Sequence, residues 1–523
     1  MNKKRFALLF SSMAMSLALA SCDVYSLLGI KTADGSGQVI TVIGDEANDD
    51  PVASYTPSQS GMYTPEAAKF LPYNYRNLNI TQSADIVPSS GNVKLLVLPI
   101  EFSDYSFSSG FLNDLNIVLN GRESDKTTGY WESLASFYKK SSFGKLNLSF
   151  EIAPVFQTTL TAQQACAQGD NAVSMVDLAV KNYKNSNETK HLDADENGFI
   201  DGVIAVYSCP NYSASSQIGA FDKDSYFWAY CYWNASAKSS LLSPNFNVYF
   251  WLSYDFIYNR FKQIDAHTMI HEFGHMMGLD DYYPNDKGAS AFYPTGLLDM
   301  MDGNILDHDV FSKSVLGWTI PRVVDATKTV TLSPSQDSGD CILIPSGQWN
   351  GTAWSEYLLI ELYTPTGLNQ LDSTTPYDNR PLGYNMPGVK IFHIDARVVS
   401  GSTSDGRNFT YAYHNGTTLS PAHTSTFYRY YRVGASNCYK DENITQPGYS
   451  LIHLLESSGK VSFYGTNYAK NSSLFHQGDT FAMNKFSACF PRKTTLNCGA
   501  EFPYTIKVDA ISNTSATLTI TKA

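Results

Sequence analysis

The alternation of apolar and polar residues divides the chain into a first part that mixes helices with strands and a later part rich in strands. In the first part, apolar or alternating runs predict strands, and apolar residues at helical spacing predict helices between them. The predicted elements are the strand Val93–Ile100, the helix Tyr130–Tyr138, a strand from Leu146 to Phe150, the helix Val173–Tyr183 and the strand Gly202–Tyr207. This order is typical of an α/β layer.

The pattern changes after Trp318, where alternating segments separated by turn residues take over and no stretch has a convincing helical period. Clear examples are Tyr357–Leu362, Val389–Ile394 and the terminal segment Tyr504–Ile520. We therefore expect a β-rich region from about Val323 onward, either as a sandwich or as an extension of the first part's sheet.

The first 92 residues carry targeting signals and a polar lead-in. A basic start precedes the apolar stretch Phe6–Ala20, which is too short to span a bilayer and predicts a secretory signal over residues 1–21. Cys22 follows small residues, as in a bacterial lipobox, and we expect it to carry a lipid anchor. A plain signal peptide with an incidental cysteine is the alternative. Residues 22–92, rich in Gly, Ser, Asp, Pro and Thr, predict a tether and lead-in segment.

Charge and cysteine content exclude some classes of protein. The formal net charge is −12, and removing the three cations of the signal leaves 34 basic against 49 acidic residues, or −15. Because nucleic-acid binding needs a basic face, we expect no nucleic-acid partner. Besides Cys22 there are seven cysteines without a Cys-x-x-Cys pair, which argues against a cysteine-bound zinc. Cys489 and Cys498 are close enough in sequence to be a candidate local disulfide.

The sequence His271-Glu272-Phe273-Gly274-His275 carries the clearest chemical signal in the chain. Histidines four residues apart lie on one face of a helix, so both imidazoles can reach a single ion. Zinc held by three protein groups keeps its fourth position for water and lowers the pKa of that water to roughly 7. Glu272, next to the first histidine, can take a proton from this water without binding the ion. The motif therefore predicts a catalytic zinc site.

Gly278 and Asp281 indicate how the third ligand is supplied. A glycine three residues after His275 can adopt a left-handed conformation, end the helix and return the chain toward the ion. The spacing matches the His-Glu-x-x-His-x-x-Gly-x-x-His/Asp motif of the metzincins, with Asp281 in the last position. A carboxylate oxygen is an acceptable zinc ligand. The neighbouring Asp280 is the alternative.

With these residues in place, the chain resembles the immune inhibitor A-type metallopeptidases, a secreted bacterial family. The resemblance covers roughly residues 93–400 and departs from the family after Met301, where a Gly/Ser-rich stretch and a tryptophan are replaced. It implies a zincin fold and a methionine beneath the metal ligands, for which Met301 is the prediction and Met300 the alternative. The matching segments are Ser136-Phe137-Tyr138, Ser142–Leu146, His271–Asp281, Asp299-Met300-Met301, Lys313 with Leu316-Gly317-Trp318, Glu356–Glu361 and Pro387–Asp395.

Other side chains near the motif have open roles. His308, between two aspartates, is a candidate to face the substrate cleft, to bind a second ion or to stabilise an oxyanion, with ordinary hydrogen bonding as the alternative. His267 lies one turn before the motif and could share its helix face, but we expect it to lie behind the metal ligands or at the surface and not to bind the ion. Tyr282 and Tyr283 are candidate hydrogen-bond donors to an intermediate, but packing is the preferred interpretation for both.

The segment Asp193–Asp201 resembles the start of an EF-hand calcium loop. Glycine stands at position 6, and the side chains at positions 1, 3, 5 and 9 offer oxygen ligands: Asp193, Asp195, Asn197 and Asp201. Ile204 replaces the usual glutamate at position 12, so another residue or water must complete the shell. We predict a structural calcium site, and a solvated turn before the next strand is the alternative.

The sequence thus predicts a signal peptide (1–21), a lead-in (22–92), an α+β or α/β zincin peptidase domain with a mixed sheet and an active-site helix (93–322), and a β-rich region (323–523). We expect a lipid-anchored zinc endopeptidase of the cell envelope that acts on proteins or peptides, with calcium in a structural role. A surface binding or adhesion lipoprotein with a non-catalytic zincin frame is the alternative, and a cell-wall amidase is a third. Retention of Glu272 favours the enzyme, since a binding protein needs no base.

Overall fold

The structure is a computed structural model of the 523-residue chain. It describes residues 40–43, 55–66, 85–168, 172–211, 227–234, 236–284, 288–403, 408–412, 444 and 446–523, with only the backbone described at 40–43, 398–403 and 408–412. The predicted signal peptide and Cys22 lie outside the described residues. Within the described ranges, no helix is both long enough and apolar enough to cross a membrane.

The described helices are α1 (Phe111–Asn120), α2 (Leu134–Ser141), α3 (Ala162–Cys166), α4 (Val173–Lys184), α5 (His267–Met276), α6 (Met300–Gly303), α7 (Val310–Val315) and α8 (Ser335–Ser338). The described strands are β1 (Ile40–Ile43), β2 (Met62–Tyr63), β3 (Gly91–Glu101), β4 (Leu146–Ile152), β5 (Phe156–Gln157), β6 (Phe199–Ile200), β7 (Val203–Tyr207), β8 (Tyr230–Trp233), β9 (Asn245–Phe246), β10 (Val248–Ser253), β11 (Arg322–Val324), β12 (Lys328–Leu332), β13 (Cys341–Pro345), β14 (Glu356–Tyr363), β15 (Gly388–Asp395), β16 (Val398–Thr403), β17 (Asn408–Ala412), β18 (Ile452–Leu454), β19 (Thr480–Ala482), β20 (Tyr504–Ile511) and β21 (Ala516–Lys522).

The chain forms two compact units. The first comprises the described parts of Thr81–Tyr138 and Leu146–Gly278. The second comprises the described parts of Lys31–Ile80, Lys139–Lys145 and Leu279–Ala523.

The first unit is built on a mixed sheet with the strand order β4-β3-β7-β10-β8. Strands β4, β3, β7 and β10 run parallel to one another, and β8 at the edge pairs antiparallel with β10. Helix α4 packs on β3, and helix α5 contacts β8 and β10. Strands β7 and β10 are buried along their whole length and consist almost entirely of apolar residues, as expected for central strands covered on both faces. The predicted mixed sheet is therefore present in this unit.

The second unit is dominated by strands, as predicted for the later part of the chain. A six-stranded sheet has the order β18-β15-β14-β13-β11-β2, and a four-stranded antiparallel sheet has the order β12-β21-β20-β19. Apolar side chains of both sheets, such as Ile360 and Ile391 from the first and Ile506 and Leu518 from the second, share one buried core. This is the arrangement of a sandwich.

The predicted elements occur close to their expected positions, with one correction. The structure contains the predicted helix at Val173 and the strands predicted near residues 93, 146, 202, 357 and 389. The alternating segment at the end of the chain forms the hairpin β20–β21. The helix predicted at Tyr130 begins only at Leu134. The hydroxyl of Thr128 accepts the backbone N–H of Trp131 at 3.0 Å and holds a turn where the spacing predicts helix. The hydroxyl of Ser133, directly before Leu134, accepts the N–H of Ser136 at 3.1 Å and caps the helix that begins there.

The division at Gly278 differs from the domain boundary predicted at residue 322. Residues 279–322 belong to the second compact unit, together with Lys139–Lys145. Within that unit the ammonium group of Lys145 donates to the carbonyl oxygens of Gly317 and Trp318, at 3.1 and 2.8 Å. Two segments that carry the family resemblance, 142–146 and 313–318, are therefore in direct contact.

The six cysteines among the described residues are all free and buried. The candidate disulfide between Cys489 and Cys498 is therefore wrong, since both residues are free cysteines in the buried core of the second unit. Burial raises the pKa of Cys489 to about 12, which makes this thiol a poor nucleophile. Cys438 lies outside the described residues.

Candidate metal centres

Helix α5, which carries the candidate zinc motif, is held in place from its first turn. The carboxylate of Asp265 accepts the backbone N–H of His267 and is paired with its Nδ1 atom, both at 2.9 Å. The His267 ring stacks on Trp131 with centroids 4.0 Å apart. In the next turn, the Tyr138 hydroxyl donates to the carbonyl oxygen of Ile270 at 2.6 Å. His267 is thus fully buried and holds the start of the helix, so the surface alternative for it is wrong, and the ligand group among the described residues does not include it.

The two motif histidines point toward one another. The Nε2 atoms of His271 and His275 are 3.1 Å apart, and their ring planes are at 87°. Two nitrogens bound to one tetrahedral zinc at about 2.0–2.1 Å would be separated by about 3.3 Å. Both histidines are almost fully buried, with 2% and 1% of their surface exposed. The imidazole pair therefore fits a shared zinc ion without rearrangement of the helix.

The chain turns at Gly278 and brings Asp281 to the histidines. Gly278 has a φ of 98°, and its N–H donates to the carbonyl oxygen of His275 at 2.9 Å. This left-handed conformation ends the helix, as predicted from the spacing. One ligand atom each from His271, His275 and Asp281 lies within 4.8 Å of the other two. Two imidazoles and a carboxylate form a donor set that zinc commonly accepts.

Asp280, the alternative third ligand, has a different role in the structure. Its carboxylate accepts the backbone N–H of Asp281 at 2.9 Å, and its side chain is partly exposed, whereas Asp281 is buried. The metal-ligating group among the described residues contains Asp281 and not Asp280. The geometry therefore favours the predicted assignment of Asp281.

Glu272 lies beside the histidine pair without belonging to the ligand group. It follows His271 directly, which places its side chain about 100° further around the helix. Only 4% of its surface is exposed. The structure thus holds a buried carboxylate next to the ligand face of α5, which is the position that a general base requires.

Met301 and Tyr282 are tied to the segment that carries Asp281. The backbone N–H of Tyr282 donates to the carbonyl oxygen of Met301 at 2.9 Å, and both residues are fully buried. The Tyr282 hydroxyl is hydrogen-bonded to Ser312 at 2.7 Å. Asp299 caps α6 by accepting the N–H of Met301 at 2.8 Å. Packing is therefore the better interpretation of Tyr282, and Met301 lies next to the returning chain.

His308 is buried, with 3% of its surface exposed. Its backbone N–H donates to Asp307 at 2.9 Å, and its ring lies 6.0 Å from that of Trp318. Asp307 also forms a buried ion pair with Lys313 at 2.5 Å and accepts the hydroxyl of Ser141. Neither metal-ligating group among the described residues includes His308, so the idea of a second ion there gains no support.

The predicted calcium loop has the backbone of a tight ion-binding turn. The two carboxylate oxygens of Asp193 accept the N–H groups of Asn197 and Gly198, at 3.0 and 2.9 Å. Gly198, at position 6, has a φ of 87°, a value that favours glycine. Carboxylate oxygens of Asp193, Asp195 and Asp201 lie within 4.8 Å of one another. The loop therefore brings three of the four predicted ligands together.

Position 12 of the loop contributes nothing to this group. Ile204 lies in strand β7 and is fully buried in the sheet. Burial raises the pKa of Asp201 to about 7, and the charges of Asp195, Asp193 and Asp85 add to the effect. Asp85, 108 positions before Asp193 in the predicted polar lead-in, accepts the side-chain amide of Asn197 at 2.8 Å, a contact that no local sequence signal marks.

No model of a known protein family matches the chain, and no curated protein is significantly similar to it in sequence. The family resemblance drawn from the motifs therefore stays a prediction.

The predicted calcium site leads to an expectation for thermal stability. Calcium at a hundred times its dissociation constant should stabilise the folded protein by about 2.7 kcal/mol, which raises the melting temperature by several degrees. Asp195→Ala removes one ligand and should abolish most of this rise. Asp177→Ala, which removes a carboxylate from the exposed ion pair with Lys181, is the control and should respond to calcium like the wild type. Melting curves of metal-stripped protein that ignore calcium would contradict the site.

Proposed function

We propose that this protein is a zinc-dependent endopeptidase in which His271, His275 and Asp281 hold the metal and Glu272 is the general base. The observation that carries the proposal is the buried group of two imidazoles and one carboxylate, with the histidine nitrogens 3.1 Å apart and Glu272 buried beside them. Substrates are proteins or peptides, and we expect the enzyme to act at the cell envelope.

The composition of the site supports a catalytic and not a purely structural metal. Structural zinc sites are closed by four protein ligands, whereas catalytic sites keep one position open. Within the described residues the ligand group has three members, His271, His275 and Asp281. When bound, zinc supplies a Lewis acid that polarises a carbonyl and lowers the pKa of water to roughly 7.

Each protein group then has a distinct task. The imidazoles of His271 and His275 bind as neutral ligands, and Asp281 adds one negative charge that offsets part of the ion's charge. Glu272 takes the proton of the attacking water and passes it to the leaving amine, because its carboxylate is next to the site but outside the ligand group. Burial of α5 excludes bulk water around these groups and strengthens their electrostatic interactions.

The competing proposal, a surface binding or adhesion lipoprotein, would need the zincin frame but no base. The buried carboxylate of Glu272 favours the enzyme. Burying a carboxylate costs free energy, and a general base is a use that offsets this cost. A cell-wall amidase would share the metal site and differ only in substrate.

Chelation and metal restoration test the proposed activity. Full-length mature protein should cleave an unfolded protein substrate, lose that activity after removal of metal by a chelator, and regain it with one equivalent of zinc. Calcium alone should not restore the activity, because calcium binds six to eight oxygen ligands and this site offers two imidazole nitrogens. Activity that survives complete metal removal would rule out the proposal.

Lipid anchoring is a separate proposal that rests on Cys22. Cys22→Ser removes the thiol that accepts the lipid and should release the protein from membranes or stall its processing. Because a single acyl chain binds membranes only marginally, the wild-type anchor should contain more than one chain. Membrane fractionation with fatty-acid labelling measures both effects. Unchanged partitioning of Cys22→Ser, with no label on the wild type, would contradict the anchor.

A further inference from the structure

Helix α5 is buried along nearly its whole length, and the two motif histidines occupy only one of its sides. With about 100° between successive residues, His271 and His275 lie about 40° apart around the helix. Ile270 and Phe273 lie on the opposite side, about 150° from the middle of the histidine pair. Contacts on that side therefore determine where the imidazoles lie without touching the ion.

Tyr138 of helix α2 makes two contacts with the side of α5 that faces away from the ligands. Its ring packs edge to face against the ring of Phe273, with centroids 4.8 Å apart. Its hydroxyl donates to the carbonyl oxygen of Ile270 at 2.6 Å. None of the surface of Tyr138 is exposed. The side chain therefore cannot touch a substrate, and it influences the metal site only through α5.

The hydroxyl of Tyr138 binds the peptide group that joins Ile270 to His271. A carbonyl oxygen has two lone pairs, so this one can accept the hydroxyl as well as the helical N–H of Gly274. Because a hydrogen bond is directional, it restricts rotation and sliding of the helix more than ring packing alone does. Metal ligands have to be held to within about 0.5 Å, and hydrogen bonds behind the ligands supply that precision.

We infer that Tyr138 is a positioning residue of the zinc site, whose hydroxyl holds the peptide group before His271 and so keeps the two imidazoles at the spacing that zinc requires. The Nε2 atoms of His271 and His275 are 3.1 Å apart, close to the separation of about 3.3 Å for two nitrogens on one tetrahedral zinc. Tyr138 has this role only if these histidines bind zinc, so the inference rests on the proposed function.

Zinc affinity of the full-length protein tests this role. Tyr138→Phe removes only the hydroxyl and keeps the ring that packs against Phe273. The zinc dissociation constant, measured by competition with a chelator, should rise about tenfold, at the low end of the 10–100-fold cost of removing a hydrogen-bond partner of a ligand. The low end applies because Tyr138 acts on His271 through the backbone and not through the imidazole.

Tyr504→Phe is the matched control. Tyr504 lies in β20 and is also buried, and its hydroxyl donates to the carbonyl oxygen of Asp325 at 3.2 Å. Without metal, both variants should melt at a lower temperature than the wild type, because each loses one buried hydrogen bond. Tyr504→Phe should nevertheless bind zinc with the wild-type affinity. If the Tyr138 hydroxyl only stabilised the fold, the two variants would bind zinc equally well.

Cobalt(II) bound in place of zinc gives a second readout that does not depend on activity. Cobalt(II) accepts the same nitrogen and oxygen donors, and its visible absorption depends on their geometry. The cobalt spectrum of Tyr138→Phe should differ from that of the wild type, whereas that of Tyr504→Phe should not. Wild-type zinc affinity together with an unchanged cobalt spectrum in Tyr138→Phe would overturn the inference and leave the proposed function intact. A wild-type protein that binds no zinc would refute both.

Discussion

Glu272→Gln should lower kcat/KM by about a hundredfold or more while the protein still binds one equivalent of zinc. Glutamine keeps the shape of the side chain but cannot accept a proton, so the attacking water loses its base. A hundredfold loss corresponds to about 2.7 kcal/mol of transition-state stabilisation. Zinc remains bound because Glu272 lies outside the ligand group of His271, His275 and Asp281.

Glu132→Gln is the matched control for this substitution. Glu132 is also a largely buried glutamate of the first compact unit, and it accepts the hydroxyl of Ser136 at 2.6 Å. Its replacement should leave kcat/KM within about threefold of the wild type. If the Glu272→Gln variant loses zinc, Glu272 is a metal ligand. If the variant cleaves substrate at nearly the wild-type rate, another group is the base. Either result contradicts the assigned role.

Asp281→Ala should remove zinc and activity together. The substitution leaves two imidazoles, and it deletes the charge that offsets the ion in a buried site. Loss of an outer hydrogen-bond partner typically costs 10–100-fold in metal affinity, so loss of a ligand should exceed that range. Zinc content after dialysis, together with peptide cleavage, measures the effect, and circular dichroism checks that the fold is retained.

Asp280→Ala distinguishes the ligand from its neighbour. The variant removes the carboxylate that accepts the backbone N–H of Asp281, so it should loosen the turn without removing a metal donor. We expect measurable zinc and residual activity. If Asp281→Ala still binds a full equivalent of zinc, or if only Asp280→Ala loses its zinc completely, the third ligand is a residue other than Asp281.

The sequence predicts those features of the site that depend on short spacing. His271 and His275 share a helix face because one turn contains 3.6 residues, and Gly278 adopts a positive φ where the chain must reverse. The calcium loop is predicted for the same reason, since Gly198 and the alternating oxygen ligands lie within nine residues. Strand β7 is evident because burial on both faces demands a continuous apolar run, which Val203–Tyr207 supplies.

Features that depend on long-range packing could not be predicted. Asp85 reaches Asn197 across 112 positions of sequence, and nothing in its polar surroundings indicates that contact. The segment 279–322 packs with the later strands, although its motifs resemble those of a catalytic domain. Trp131 has helical spacing with its neighbours, but the hydroxyl of Thr128 binds its N–H and delays the helix. In each case a contact between distant or competing groups determines the outcome.

The central claim is that this chain hydrolyses internal peptide bonds with the base Glu272 and a zinc ion. The most direct test incubates purified mature protein with a denatured mixture of proteins and maps the new amino termini by mass spectrometry. We expect new termini inside many substrates with the wild type and zinc, and none above background with Glu272→Gln or with chelator. No new internal termini from zinc-loaded wild type, or the same termini from Glu272→Gln, would contradict the claim.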